Sequence, residues 1–145
     1  MEIKIKKLRE NAIIPTRGSS AAAGYDLYAC LEADSITIAP HTSAKIGTGV
    51  ALSVPEGYFG AIFARSGLAA KQSLRPANCV GVADSDYRGE YIVVLHNDSD
   101  LERTIENGDR IAQLVIMPFM SVTFCETDNL DETERGEGGF GSTGK

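Results

Sequence analysis

Arg65, Ser66 and Gly67 close an apolar run, YFGAIFAR, and open the stretch SGLAAKQS, which predicts a short helix over Ser66–Ser73. A guanidinium, a hydroxyl and the free N–H groups of a helix N-terminus in one place suit an anion. Four other stretches concentrate unusual residues. AAGYDLYA sets Asp26 among small residues and tyrosines. NCVGVADSDYRGE holds Asn78, Gly81, Asp84, Asp86, Tyr87, Arg88 and Gly89. RIAQLVI puts the Gln113 amide inside an apolar strand, where it needs a polar partner. RGEGGFGSTGK, Arg135–Lys145, surrounds Phe140 with glycines and adds two hydroxyls. Gly139–Lys145 also fits G-x-x-x-x-G-K, but a P-loop opens a helix and carries a Ser or Thr for Mg²⁺. Neither is expected here.

Each cluster also has a purely structural reading. Asp26 can form a turn, and Arg65 a surface ion pair. Asp84 and Asp86 can sit on a solvated hairpin tip, and Gln113 can satisfy a neighbouring backbone group.

The elements that must position these residues are strands. EIKIKK and SITIAP alternate apolar and polar side chains, as half-buried strands do. GVALSVPEG, YFGAIFAR, EYIVVLHN, RIAQLVIMP and SVTFCET continue the pattern, with turn signals at HNDSD and at Asn107-Gly108, which predicts a hairpin. About ten short strands at this spacing predict an all-β sandwich or barrel. IVVLHN and IAQLVIMP are nearly continuous apolar runs, the signature of strands covered on both faces. A second subunit could supply the cover, as could one thick core.

The chain has 145 residues, 43% hydrophobic and 23% charged, the size and composition of one domain. A core domain over residues 1–127 is expected, followed by a glycine-rich, acidic arm over 128–145 whose large apolar side chains are Leu130 and Phe140. Such a segment cannot bury enough surface to fold alone, yet it can order on a ligand. Its amides and hydroxyls would then serve a phosphate, and its aromatic ring a base. The net charge of −6 repels nucleic acid and anionic membranes, so neither is an expected partner. No apolar run approaches the length of a membrane span. Three widely spaced cysteines and no secretory segment point to a cytoplasmic protein with reduced thiols. His41 and His96 stand apart, which disfavours a His/Cys metal site.

Taken in order, AAGYDLYA, ARSG, GVADSDYRGE, RIAQLVI and RGEGGFGSTG resemble the five motifs of the trimeric dUTPases, from Tyr25 to Gly144. The resemblance implies an all-β, jelly-roll-like (β-clip) subunit in a homotrimer with active sites shared between chains. It implies hydrolysis of dUTP to dUMP and pyrophosphate with Mg²⁺, which lowers dUTP and supplies dUMP for thymidylate synthesis.

By the same resemblance, Asp84 is the catalytic carboxylate that orients and deprotonates a water. Asp86, two residues on, would share its face in a strand, so only the motif separates them. Asn78 corresponds to the amide that reads uracil, with Gly81, Val82 and Ala83 beside it. Tyr87 corresponds to the ring that blocks a 2′-hydroxyl. Arg65, Ser66, Gly67 and Gln113 correspond to phosphate-side residues, and Asp26 to an acid holding Mg²⁺ through a water, the ion sitting mainly on the triphosphate. Arg135 would meet the γ-phosphate and Phe140 would stack on the base, with Gly141, Ser142 and Thr143 completing a lid. Two residues depart from the family pattern. Ala64 stands where Pro is usual, and Ala83 where a larger aliphatic is usual. A dCTP deaminase of the same fold, or a non-catalytic nucleotide-binding regulatory trimer, are the rival readings.

Overall fold

The computed structural model describes residues 1–140. Twelve strands and one helix run in the order β1 (Lys4–Lys7), β2 (Thr16–Arg17), β3 (Tyr25–Tyr28), β4 (Ser35–Ile38), β5 (Ser43–Gly47), β6 (Val50–Ser53), β7 (Tyr58–Phe63), α1 (Ser66–Gln72), β8 (Leu74–Pro76), β9 (Gly81–Ala83), β10 (Ile92–Asn97), β11 (Arg103–Glu106) and β12 (Arg110–Pro118). The strands form a five-stranded sheet ordered β2-β3-β12-β7-β9, a three-stranded sheet β5-β10-β8, and the pairs β1-β6 and β11-β4. Every pairing is antiparallel, and most join strands distant in sequence. The result is an all-β, jelly-roll-like subunit with a single short helix. No helix among the described residues is long and apolar enough to cross a membrane.

Alternation along the strands builds the core. Leu27 on β3, Ala112 and Leu114 on β12, and Ile62 on β7 point inward, where they meet Ile46, Val93, Leu95, Leu74, Ile38 and Ile105 from the other sheets. A register shift between Arg110 and Ala112 lets Ile111 and Ala112 both turn inward. The outward face of the five-stranded sheet carries Phe63, Val115, Met117 and Val82. Val82 is 66% exposed. The doubly apolar runs are therefore not covered on both faces within one chain: β10 alternates, and the outer side of β12 is partly open.

Three local expectations need correction. SVTFCET forms no strand. The last strand stops at Pro118, and Phe124 is almost wholly exposed, because the segment has no partner strand in this chain. Asn107-Gly108 does make a turn, with Gly108 at φ 87° and the Asp109 N–H on the Glu106 carbonyl at 3.1 Å. The flanking β11 and β12 enter different sheets, so the turn is not a hairpin. The segment holding Asp84 is likewise a turn between sheets, since β9 pairs with β7 and β10 with β5 and β8. The helix occupies Ser66–Gln72 and ends at Ser73, whose left-handed backbone returns its N–H to Ala69 and Leu68.

Candidate functional site

Two clefts collect the chemistry-bearing residues, and they share no lining residue. The first encloses about 220 Å³ between Asn78, Gly81, Val82, Ala83, Asp84 and Tyr87 on one side and Ile62, Glu90, Tyr91 and Ile92 on the other. Its frame is β9, held to β7 in the register Gly60↔Ala83, Ala61↔Val82, Ile62↔Gly81. A tight turn precedes β9, with Cys79 in the left-handed region at φ 63° and the Val80 N–H on the Asn78 carbonyl at 2.7 Å. A second turn follows it, closed by the Tyr87 N–H on the Asp84 carbonyl at 3.2 Å. Asp84 thus lies at the end of a short, doubly anchored strand, with its carboxylate exposed.

The geometry separates Asp84 from Asp86. Asp84 lines both this cleft and an adjoining groove with Glu56, Arg88 and Phe119, whereas Asp86 lines the groove alone. None of the ion pairs among the described residues includes Asp84. Arg88 is engaged elsewhere, donating to the Ser85 carbonyl at 2.6 Å and the Tyr87 carbonyl at 2.9 Å.

Tyr87 is fixed from three sides. Its hydroxyl donates to the Glu90 carbonyl at 3.0 Å, its ring lies 6.1 Å from that of Tyr91, and Gly89 leaves room for it. A Cβ on Gly89 would sit 2.6 Å from the Tyr87 ring carbon Cζ, so the ring could not stay where it is. The Glu90 carboxylate in turn holds Arg9 and accepts from the Gly49 N–H at 2.7 Å, tying this turn to the N-terminal segment. The bond from Arg9 to the Cys30 sulfur is the main cause that raises the guanidinium above its ordinary pKa. Burial is the main cause that pushes the Tyr91 hydroxyl up, and neighbouring Tyr87 adds to it against a smaller opposing effect of Arg88.

The second cleft gathers Gly24, Asp26, Phe63, Arg65, Ser66, Gly67, Arg110 and Gln113. Strand register explains the convergence: Asp26, Gln113 and Phe63 stand opposite one another across β3, β12 and β7, and so share one face. Arg65 follows two residues after Phe63 and donates from Nε to Asp26 Oδ1 at 2.8 Å. Arg110 reaches Asp26 Oδ2 at 3.3 Å. The Gln113 amide donates to the Ala64 carbonyl at 2.8 Å. Its other end packs on Gly24, where an added Cβ would collide with Oε1 and lie 3.3 Å from Cδ. The helix starts after Arg65 with no side-chain cap and no acidic residue in its first turn. A Cβ on Gly67 would touch nothing within the chain.

A water-mediated metal role of Asp26 would have to compete with the two guanidiniums that hold it. Each carboxylate oxygen accepts from a guanidinium, and two adjacent cations disfavour a dication there. No group of three or more His, Cys, Asp or Glu among the described residues is placed to hold a metal. Gln113 satisfies the Ala64 backbone, as its structural reading had it.

The two clefts account for Asp26, Arg65, Ser66, Gly67, Asn78, Gly81, Val82, Ala83, Asp84, Tyr87 and Gln113. Neither cleft includes Arg135 or Phe140. Arg135 closes a local turn on the Gly138 carbonyl at 2.7 Å, and Phe140 is fully exposed. Gly141, Ser142 and Thr143 lie outside the described residues. Sequence reasoning missed Arg110, Gly24, Glu90 and Tyr91. Arg110 and Gly24 flank residues it had singled out, which was a usable signal; Tyr91 read as one more apolar position of the run EYIVVLHN.

A protein-family model described as dUTPase matches residues 10–144. The chain is 46% identical over 144 residues to the deoxyuridine 5'-triphosphate nucleotidohydrolase of Hydrogenobaculum sp. (strain Y04AAS1), covering 99% of each. Among solved structures it is similar to the Staphylococcus bacteriophage 80alpha dUTPase with dUPNHPP, at TM-score 0.89 and 32% identity over 99% of both chains. It is also similar to a dUTPase from phage phi11 of S. aureus whose structure concerns a structural Mg(II) ion. That match has TM-score 0.81 and 26% identity, over 91% of this chain and all of the other.

Proposed function

This chain belongs to the dUTPase family, and on that footing we propose that it hydrolyses dUTP to dUMP and pyrophosphate, with Asp84 as general base. The carrying observation is the grouping of Asn78, Gly81, Asp84 and Tyr87 around one cleft, with Asp84 bound in no ion pair. An unpaired carboxylate at the cleft wall can orient a water toward the α-phosphorus and take its proton as the P–O bond to pyrophosphate breaks. The Asn78 amide, with the Gly81 and Val82 backbone, pairs with the donor–acceptor edge of uracil. Cytosine presents the reverse pattern and would leave buried polar groups unmatched. The Tyr87 ring closes the space that a 2′-hydroxyl would need.

Arg65, Ser66, Gly67 and Gln113 serve the phosphates, where negative charge grows as pyrophosphate leaves. As the family resemblance implies, the complete site is assembled between subunits of a homotrimer, and two clefts without a shared residue in one chain are in keeping with that. The open apolar face of Phe63, Val82 and Val115 supports such an assembly. The 128–145 arm, with Arg135, Phe140, Gly141, Ser142 and Thr143, closes over a neighbour's site, and Phe140 stacks on the base. Mg²⁺ arrives on the triphosphate and not on a protein cage. The reaction lowers dUTP and supplies dUMP for thymidylate synthesis in the cytoplasm, a setting that suits three unpaired cysteines.

The test is pyrophosphate release from dUTP, dTTP, dCTP and UTP side by side, with ammonia release from dCTP measured in parallel. Strong preference for dUTP is the expected result. Equal turnover of all four would refute the roles of Asn78 and Tyr87, and ammonia from dCTP would favour a deaminase. Sedimentation should give a trimer; a fully active monomer would rule out the shared site.

A further inference from the structure

Among the described residues Tyr91 is the largest fully buried side chain, 2% exposed, yet its hydroxyl has no hydrogen-bond partner there. A phenylalanine or an aliphatic residue would fill a core without that cost. Its backbone is pinned from both sides: its N–H donates to the Val50 carbonyl at 2.9 Å, and its carbonyl accepts from the Thr48 N–H at 3.2 Å and the Thr48 hydroxyl at 2.6 Å. Room for its hydroxyl comes from Gly60, which pairs with Ala83 across β7 and β9. A Cβ on Gly60 would lie 3.1 Å from the Tyr91 hydroxyl oxygen and 3.5 Å from the Ala83 Cβ. The hydroxyl end of the ring therefore occupies space that a side chain at position 60 would need, beside the strand that leads to Asp84. Its face meets Tyr87, with centroids 6.1 Å apart and planes inclined by 37°.

We propose that Tyr91 is a positioning residue for sugar discrimination. Its pinned ring backs Tyr87, so that Tyr87 cannot yield to a ribonucleotide. The inference rests on the reading of Tyr87 as the sugar gate. Tyr87 is 45% exposed and on a turn, and a side chain so placed excludes a 2′-hydroxyl only if something behind it resists displacement. The hydroxyl bond to the Glu90 carbonyl fixes the far end of Tyr87, and Tyr91 fixes the face. Gly60 belongs to the same device, because a side chain there would compete with the Tyr91 hydroxyl for the same space.

The experiment is kcat and KM for dUTP and UTP, with Tm, for the wild type, Tyr87→Ala, Tyr91→Phe, Tyr91→Leu and the double variant Gly60→Ala/Tyr91→Leu. Tyr91→Phe keeps the ring and should keep the dUTP:UTP ratio of kcat/KM, with Tm equal or higher. Tyr91→Leu should lower Tm and cut the ratio at least tenfold, chiefly by raising kcat/KM for UTP. The double variant refills part of the volume without a ring. Its Tm should recover toward the wild-type value while the ratio stays low, which a purely structural role would not produce. A wild-type ratio in Tyr91→Leu, or a ratio that recovers together with Tm in the double variant, overturns the proposal while leaving the Tyr87 reading intact. A wild-type ratio in Tyr87→Ala overturns both.

Discussion

The cleft around Asp84 and the cleft around Asp26 are held by opposite means. Around Asp84 the frame is backbone and packing: a three-residue strand, two tight turns and the Tyr87–Tyr91 contact. The polar groups that would meet a ligand are left without charged partners. Around Asp26 the reactive-looking groups hold one another, with Arg65 and Arg110 on the carboxylate and Gln113 on the Ala64 carbonyl. On the proposed reading, the first cleft is preformed for a nucleoside. In the second, Arg65 would have to weaken or share its bond to Asp26 to take up a phosphate, so the proposed binding there is an exchange of partners and not a filling of space.

The comparison is broken most sharply at Asp84. Asp84→Asn removes the proposed base while keeping size and shape, and kcat for pyrophosphate release should fall about 10²- to 10⁴-fold. Because the carboxylate is exposed and in no ion pair, Tm should not fall. Activity within tenfold of wild type would remove Asp84 from the mechanism and leave the cleft a binding pocket.

Next in size is Arg65. Arg65→Ala takes away a charge-assisted donor, worth about 1.5–3 kcal/mol, so kcat/KM should drop roughly 10- to 100-fold for dUTP and UTP alike. It also leaves Asp26 facing Arg110 alone, a part-buried carboxylate with half its partners, and Tm should fall. Asp26→Asn should cost less in kcat/KM, because it frees Arg65 for the phosphate. If Asp26→Asn proves as damaging as Arg65→Ala, the carboxylate has a role of its own and the picture of partner exchange is wrong.

Two glycine substitutions sharpen the contrast at smaller amplitude. Gly24→Ala drives a methyl into the Gln113 amide and should lower kcat/KM about tenfold, or ~1.4 kcal/mol, with the dUTP:UTP ratio unchanged. Gly89→Ala displaces the Tyr87 ring and should lower that ratio instead. The same assay on both variants tells which cleft reads the sugar and which only holds phosphates. A changed ratio in Gly24→Ala would merge the two functions.

Much of this was legible in the sequence, and the failures are instructive. The short helix after Arg65 was readable because SGLAAKQS is locally helical, and Ser73 then stops it. The strands were readable from alternation. SVTFCET alternates equally well yet forms no strand, because a strand needs a neighbour and periodicity reports only sidedness. Asn107-Gly108 fixed a turn but not the destination of its flanking strands. The Asp26–Arg110 contact joins residues 84 positions apart and follows only from the β3–β12 register. Tyr91 was hidden for a related reason. EYIVVLHN announces an apolar strand, but the space that Gly60 leaves for the Tyr91 hydroxyl comes from another segment.

The smallest effect is expected where neither cleft is involved. Arg75 holds Asp98 with two bonds, 2.7 and 3.0 Å, on the β8–β10 side of the molecule. That hydrogen bonding is the first cause that keeps the Asp98 carboxyl below its ordinary range, with Coulomb attraction to Arg75, His96 and His41 adding to it. Both partners are more than a third exposed, so solvent screens most of the gain. The sign is fixed by the direction of the shift. A carboxylate whose folded pKa is depressed stabilises the fold at pH above its unfolded value, about 3.9, and loses that contribution as pH falls through the folded one. Asp98→Asn should therefore melt slightly below wild type at pH 7, and the gap should close as both are taken below about pH 4. Turnover of dUTP should not change. Melting curves at pH 7, 5 and 3 decide it: a gap that persists at pH 3 would mean that Asp98 supports the fold through packing or its hydrogen bonds and not through its charge.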